Sequence, residues 1–142
     1  MALDGQPPKT ILALKQFGQP DSLRRKGAHT MEMSIEAFSD SVTKVVLNGR
    51  LDMQGAQKID LPFSSLAGSH RKVIVDLSQV VFMASMGIRT LVLTAKSIKS
   101  KGGRLVLLDP VGEVEKVLVE TGIDTIIPIT HGLDAAIGAV NQ

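Results

Sequence analysis

The sequence predicts an α/β fold: a mixed β-sheet with helices packed on it, in the order β-β-α-β-α-β-α-β-α. Three observations carry that expectation. Met31, Met33 and Ile35 alternate with Glu32, Ser34 and Glu36, the period of two of a half-buried strand. Two later runs, Lys72–Leu77 (KVIVDL) and Arg104–Leu108 (RLVLL), are apolar without alternation, as in parallel strands buried on both faces. Between them, Ile88, Leu91, Val92, Ala95 and Ile98 recur at helical spacing, which places a helix on the sheet.

Each element follows in order. Ser39-Asp40-Ser41 is turn chemistry, so Val42–Leu47 pairs with the first strand as a hairpin and ends at Asn48-Gly49. Met53–Leu66 has apolar residues at Met53, Ala56, Ile59 and Phe63, with Asp52 placed to cap a helix. Pro62 predicts a kink or break there, because it removes a hydrogen bond and crowds the preceding turn. KVIVDL is the central strand. The next helix carries Lys96, Lys99 and Lys101 in its later turns and stops at Gly102-Gly103. After RLVLL, Asp109-Pro110 opens a third helix with Val114, Val117 and Leu118 inward, ended by Gly122. Thr125–Ile129 is a short strand whose Pro128 marks an edge. Leu133–Val140 closes the chain as a helix with Asp134 early.

The 142 residues suit one domain. Residues 31–142 are expected to form it, with residues 1–30 as a flexible N-terminal arm punctuated by Gly5, Pro7, Pro8, Gly18, Pro20 and Gly27. Within the arm, Thr10–Phe17 is a short amphipathic piece that is marginal as an isolated helix. The net charge of +2 is uneven: the arm holds Lys9, Lys15, Arg24, Arg25 and Lys26 against Asp4 and Asp21. Five scattered cations without a matching motif do not indicate nucleic-acid binding. Aromatic residues are 3%, all Phe, too few for base-stacking platforms. The absence of cysteine excludes disulfides, thiolate metal sites and a thiol nucleophile. Apolar runs of four to five residues fall far short of the roughly 20 needed to span a bilayer. No secretory signal is visible, and a cytoplasmic protein is expected.

Catalytic and cofactor chemistry is not indicated. Gly102-Gly103 lacks the Lys-Ser/Thr of a phosphate loop. His29, His70 and His131 fall in expected loops without ligand partners at helical spacing. No Gly-x-Ser-x-Gly elbow is present. Neither an enzyme nor a bound cofactor or metal is expected.

One segment is unusual: Val80-Val81-Phe82-Met83-Ala84-Ser85-Met86-Gly87-Ile88-Arg89. Ser85 precedes the helical periodicity, where its hydroxyl would cap the helix. Two readings of this segment stand open. In one, Ser85 is only a cap, Met83 and Met86 are core, and Gly87 permits tight packing. In the other, Met83 and Met86 form a docking surface and Ser85 is a phosphorylation switch. A phosphoserine adds roughly −1.5 to −2 charges, which a helix N-terminus tolerates and an apolar partner does not.

The run Asp76-Leu77-Ser78-x-Val80-x-Phe82-Met83-Ala84-Ser85-Met86-Gly87-Ile88 resembles the D-L-(x)n-F-M-D-S-S-G-L signature of STAS domains of the bacterial anti-sigma-factor-antagonist type. Gly49-Arg50-Leu51-Asp52, Gly102-Gly103-x-Leu105 and Thr121-Gly122-Ile123 resemble further family motifs, in the family's order, over about residues 31–142. The resemblance implies a partner-switching regulator in transcription control. Its partner would be a serine kinase of the histidine-kinase-like ATPase fold that doubles as an anti-sigma factor. A PP2C-type phosphatase would reverse the phosphorylation. Ser85 falls on the phosphoacceptor position, Asp52 on that of a nearby acidic residue and Gly87 on the family glycine. Two positions depart: the family's Asp before the acceptor is Ala84, and the following Ser is Met86. Arg89, one turn beyond Ser85, is spaced to pair with a phosphate. Asp52, Met83, Ala84, Met86, Gly87 and Arg89 are thus the expected partner-binding residues. The alternatives are a constitutive STAS adaptor of a transporter or lipid-transport complex, and a small-molecule or nucleotide-binding domain.

Overall fold

The computed structural model describes residues 31–38 and 41–142. The arm expected over residues 1–30, His29 and Ser39-Asp40 of the hairpin turn lie outside the described residues. β1 (Glu32–Ala37) runs antiparallel to β2 (Val42–Leu51). α1 (Met53–Ser69) follows, then β3 (Lys72–Met83) and α2 (Ser85–Ser100). β4 (Arg104–Leu108), α3 (Gly112–Glu120), a 3-10 turn (Ile123–Thr125), β5 (Ile129–Thr130) and α4 (Leu133–Val140) complete the chain. The sheet order is β1-β2-β3-β4-β5, with β2 through β5 mutually parallel. The expected mixed sheet, hairpin and alternation of elements are all present.

The two sheet faces are covered unequally. Met33, Val45, Leu47, Val75, Leu77 and Leu107 project into the main core, where α1, α2 and α3 contribute Ile59, Phe63, Leu91, Ile98, Val114 and Leu118. On the other face Val42, Ile74, Val106 and Leu108 meet Ala136 and Val140 of α4. β3 and β4 are therefore buried on both sides, which is why their sequences do not alternate.

Four local expectations are corrected. α1 continues as one helix through Pro62. Ile59 and Phe63, each at most 1% exposed, anchor the turns on both sides of it, and their burial outweighs one lost hydrogen bond. Asp60, Leu61, Ser64 and Ser65 are exposed, so water can reach the carbonyl left without a donor. β2 does not end at Asn48-Gly49 but reaches Leu51. It passes through two register irregularities, with Gly49 at φ 127°, a conformation open to glycine. The last strand is Ile129–Thr130 rather than Thr125–Ile129: residues 123–125 form a 3-10 turn, and Pro128, lacking an N–H, enters only through its carbonyl, which accepts from Leu107 N at 2.9 Å. Asp109-Pro110 does not open α3. Asp109 adopts φ 53° and accepts from Gly132 N at 2.9 Å, and the helix starts at Gly112.

Relief of the Pro62 defect is predicted to stabilise the protein. Pro62→Ala restores a hydrogen bond in a helix interior and is expected to add as much as about 3 kcal/mol, read as a higher urea midpoint at unchanged slope.

Candidate functional site

β2 and β3 are parallel, so their carboxyl ends reach the same edge of the sheet, and the helices that follow start there side by side. Leu51 is the register partner of Met83 and Arg50 that of Phe82. The next residues are Asp52, which caps α1, and Ala84-Ser85, which open α2. Two contacts lock the ends together. Ala84 N donates to Leu51 O at 3.0 Å. A Cβ on Gly87 would lie 2.5 Å from Leu51 Cγ and 2.8 Å from Leu51 O, so only glycine lets α2 approach β2 this closely. The close approach expected of Gly87 is thus made by its own chain, and Gly87 is buried.

Asp52 caps as expected: its Oδ1 accepts from Gly55 N at 2.9 Å. Its other oxygen lies 3.6 Å from Arg50 Nε, and the Arg50 guanidinium sits 4.2 Å from the centre of the Phe82 ring. The Arg50–Asp52 pair is about one-third exposed on each side, so each such contact contributes on the order of 0.5 kcal/mol. Their effect is to fix side-chain positions beside the start of α2.

Ser85 is not the helix cap. Ala84 takes that position, with extended backbone and no side-chain acceptor, and Ser85 is the first helical residue. The Ala84 N–H bond to Leu51 extends the strand pairing one residue past Met83, so the helix begins a residue earlier than capping chemistry suggests. Ser85 is exposed, and no hydrogen bond to its hydroxyl is formed among the described residues.

Met83, expected on a docking surface, belongs to the core at 5% exposure. It ends a strand that runs six residues past Leu77, the expected end, and its side chain takes the inward position. The exposed apolar residues around Ser85 are instead Phe82 at 38%, Met86 at 39% and Met53 at 60%. Phe82 and Met53 were missed because their places on the edge follow from the extended strand and the cap at Asp52. Arg89 is exposed, and its guanidinium makes no ion pair among the described residues. His131, unpartnered by sequence spacing, meets Glu115 Oε1 at 2.9 Å across the fold.

Two substitutions test this geometry. Ala84→Asp supplies the missing cap acceptor and is expected to stabilise by about 1 kcal/mol, seen as a rise in Tm. Gly87→Ala forces its Cβ into Leu51 and is expected to cost about 1–3 kcal/mol in a denaturant titration.

A STAS domain family model matches residues 33–136. BtrV of Bordetella bronchiseptica, named a candidate anti-sigma factor antagonist, is 26% identical over 110 residues, covering 77% of this chain and 94% of its own. The crystal structure of an anti-sigma factor antagonist from Mycobacterium paratuberculosis is 26% identical with a TM-score of 0.71, covering 79% of this chain and 95% of that one. SpoIIAA of Bacillus in its phosphorylated form matches the fold at a TM-score of 0.60 and 22% identity, over 76% of this chain and 98% of that one. With its sheet order, its paired helix starts and its signature segment in these places, the chain belongs to the STAS domain family, with relatives named as anti-sigma factor antagonists.

Proposed function

We propose that this protein is a partner-switching regulator that binds an anti-sigma factor and is released from it by phosphorylation of Ser85. The partner is a serine kinase of the histidine-kinase-like ATPase fold, and a PP2C-type phosphatase restores the hydroxyl. Residues 31–142 act as the STAS domain in the cytoplasm, and the protein itself is not an enzyme. The observation that carries this reading is the exposed Ser85 hydroxyl at the start of α2, with Phe82, Met86 and Met53 exposed around it.

The charge arithmetic supports a switch that leaves the fold intact. A phosphate at the first helical residue interacts favourably with the helix dipole by about 0.3–1 kcal/mol. The same dianion under an apolar partner loses its hydration, at several kcal/mol per uncompensated charge. A loss of about 4 kcal/mol is a factor of roughly a thousand in affinity. Phosphorylation therefore removes the partner and not the structure. Arg89, four residues on, supplies a cation on the same helix face for the phosphate. That SpoIIAA is described in both a phosphorylated and an unphosphorylated form is consistent with this cycle.

Affinity isolation from the native cells tests it. Ser85→Ala is expected to retain an ATPase-fold kinase that Ser85→Asp loses, and fragmentation mass spectrometry of the native protein is expected to place phosphate on Ser85. Equal retention by both variants would overturn the switch and favour a constitutive adaptor.

A further inference from the structure

The chain holds no cysteine, tyrosine or tryptophan, so methionine sulfur is where a mild two-electron oxidant acts first. The described methionines fall into two groups. Met31, Met33 and Met83 are core residues, none more than 5% exposed, whereas Met53 is 60% and Met86 39% exposed. Both exposed methionines lie beside Ser85. Met53 is the first residue of α1 and Met86 the second of α2. The Ala84 N–H bond to Leu51 O, at 3.0 Å, holds the two helix starts on one edge. Met86 also stands where the STAS signature has a serine, so an oxidisable side chain at that position is this chain's own departure from it.

We propose that Met53 and Met86 form a paired oxidation site, and that their conversion to sulfoxides by a hydroperoxide makes the edge beside Ser85 polar and dismisses the partner; this rests on the partner-switching reading above. In each step a sulfur lone pair attacks one oxygen of the peroxide. The S–O bond forms as the O–O bond breaks, and the sulfur gives up two electrons. The proton on the attacked oxygen passes to the departing hydroxide, which leaves as water when the oxidant is hydrogen peroxide. Exposure sets the selectivity, because the other three sulfurs lie within a packed core. In the free protein the new S=O groups are hydrated and leave the fold undisturbed. Under an apolar partner they lose that water without gaining a donor, which disfavours the complex. Methionine sulfoxide reductases return the thioethers, so the site is reversible. It acts in the same direction as a phosphate on Ser85 but needs neither kinase nor nucleotide.

The test uses the full-length, unphosphorylated protein and needs no variant. Dilute hydrogen peroxide is applied and then removed, and peptide mass spectrometry follows the gain of one oxygen at each methionine. Met53 and Met86 are expected to oxidise several-fold faster than Met31, Met33 and Met83. The protein is immobilised untreated, oxidised, and oxidised then treated with methionine sulfoxide reductases of both stereochemical specificities. Each form meets a nucleotide-depleted extract of the native cells, so Ser85 stays unmodified and the partner never meets the peroxide. Retention of an ATPase-fold kinase is expected to fall several-fold on oxidation and to recover on reduction, with Tm little changed. Equal oxidation of core and edge, retention indifferent to the two sulfoxides, or a loss that reduction does not restore overturns the proposal. Selective oxidation with unchanged retention leaves the partner-switching reading standing and removes only the sulfoxide control. Should the untreated protein retain no such kinase, that reading itself has failed and the proposal falls with it.

Discussion

Leu51 is fully buried at the carboxyl end of β2, and three features of the chain converge on it. Met83 lies beside it in register, the Ala84 N–H donates to its carbonyl at 3.0 Å, and Gly87 leaves room for its side chain. Together these bind the ends of two parallel strands and make both following helices begin at one edge. The position of Ser85 relative to Asp52, Arg50 and Phe82 depends on that junction. A parallel pair presents its carboxyl ends and the ensuing helix starts on the same side, so the location of the candidate site follows from strand direction. A side chain at residue 87 would part α2 from β2 and move every group on the edge.

The sheet explains how the edge is held in place. β3 and β4 are covered on both faces and contribute the continuous apolar runs. β1 and β2 are covered by helices on one face and alternate accordingly. Phe63, Leu91 and Ile98 fill the main core under α1 and α2, each essentially without exposure, and interiors packed at that density do not deform gradually.

The start of α2 carries a stability cost that the rest of the fold absorbs. Its cap position holds Ala84, where the STAS signature has an aspartate, and no side chain accepts from the first turn. Two consequences follow from one substitution. The helix loses a stabilising acceptor, and the carboxylate that would stand beside a phosphate on Ser85 is gone. With fewer negative charges, this edge is left more apolar, with Phe82, Met86 and Met53 exposed along it. Helix stability and the polarity of this edge are therefore set by the same residue.

The fold class, the hairpin, the order of elements and the Asp52 cap could all be read in the sequence, because each depends on contacts between residues near in sequence or on a pattern of burial along one element. The segment around Ser85 stood out through its resemblance to the STAS signature, since its residues alone left the cap and switch readings both open. Strand ends were not. β2 and β3 run on past Leu47 and Leu77 because each supplies the other's hydrogen bonds, and neither sequence records its partner. That extension turned Met83 inward, shifted the helix start so that Ala84 rather than Ser85 holds the cap position, and brought Phe82 and Met53 to the surface. Pro62 stayed within a helix because burial of Ile59 and Phe63 on either side outweighs a local defect. Local periodicity and propensity determined what the elements are. Which residues face outward at the carboxyl edge was decided by pairing and packing between segments some 30 residues apart, such as Leu51 and Met83, since burial there is a property of the assembled sheet.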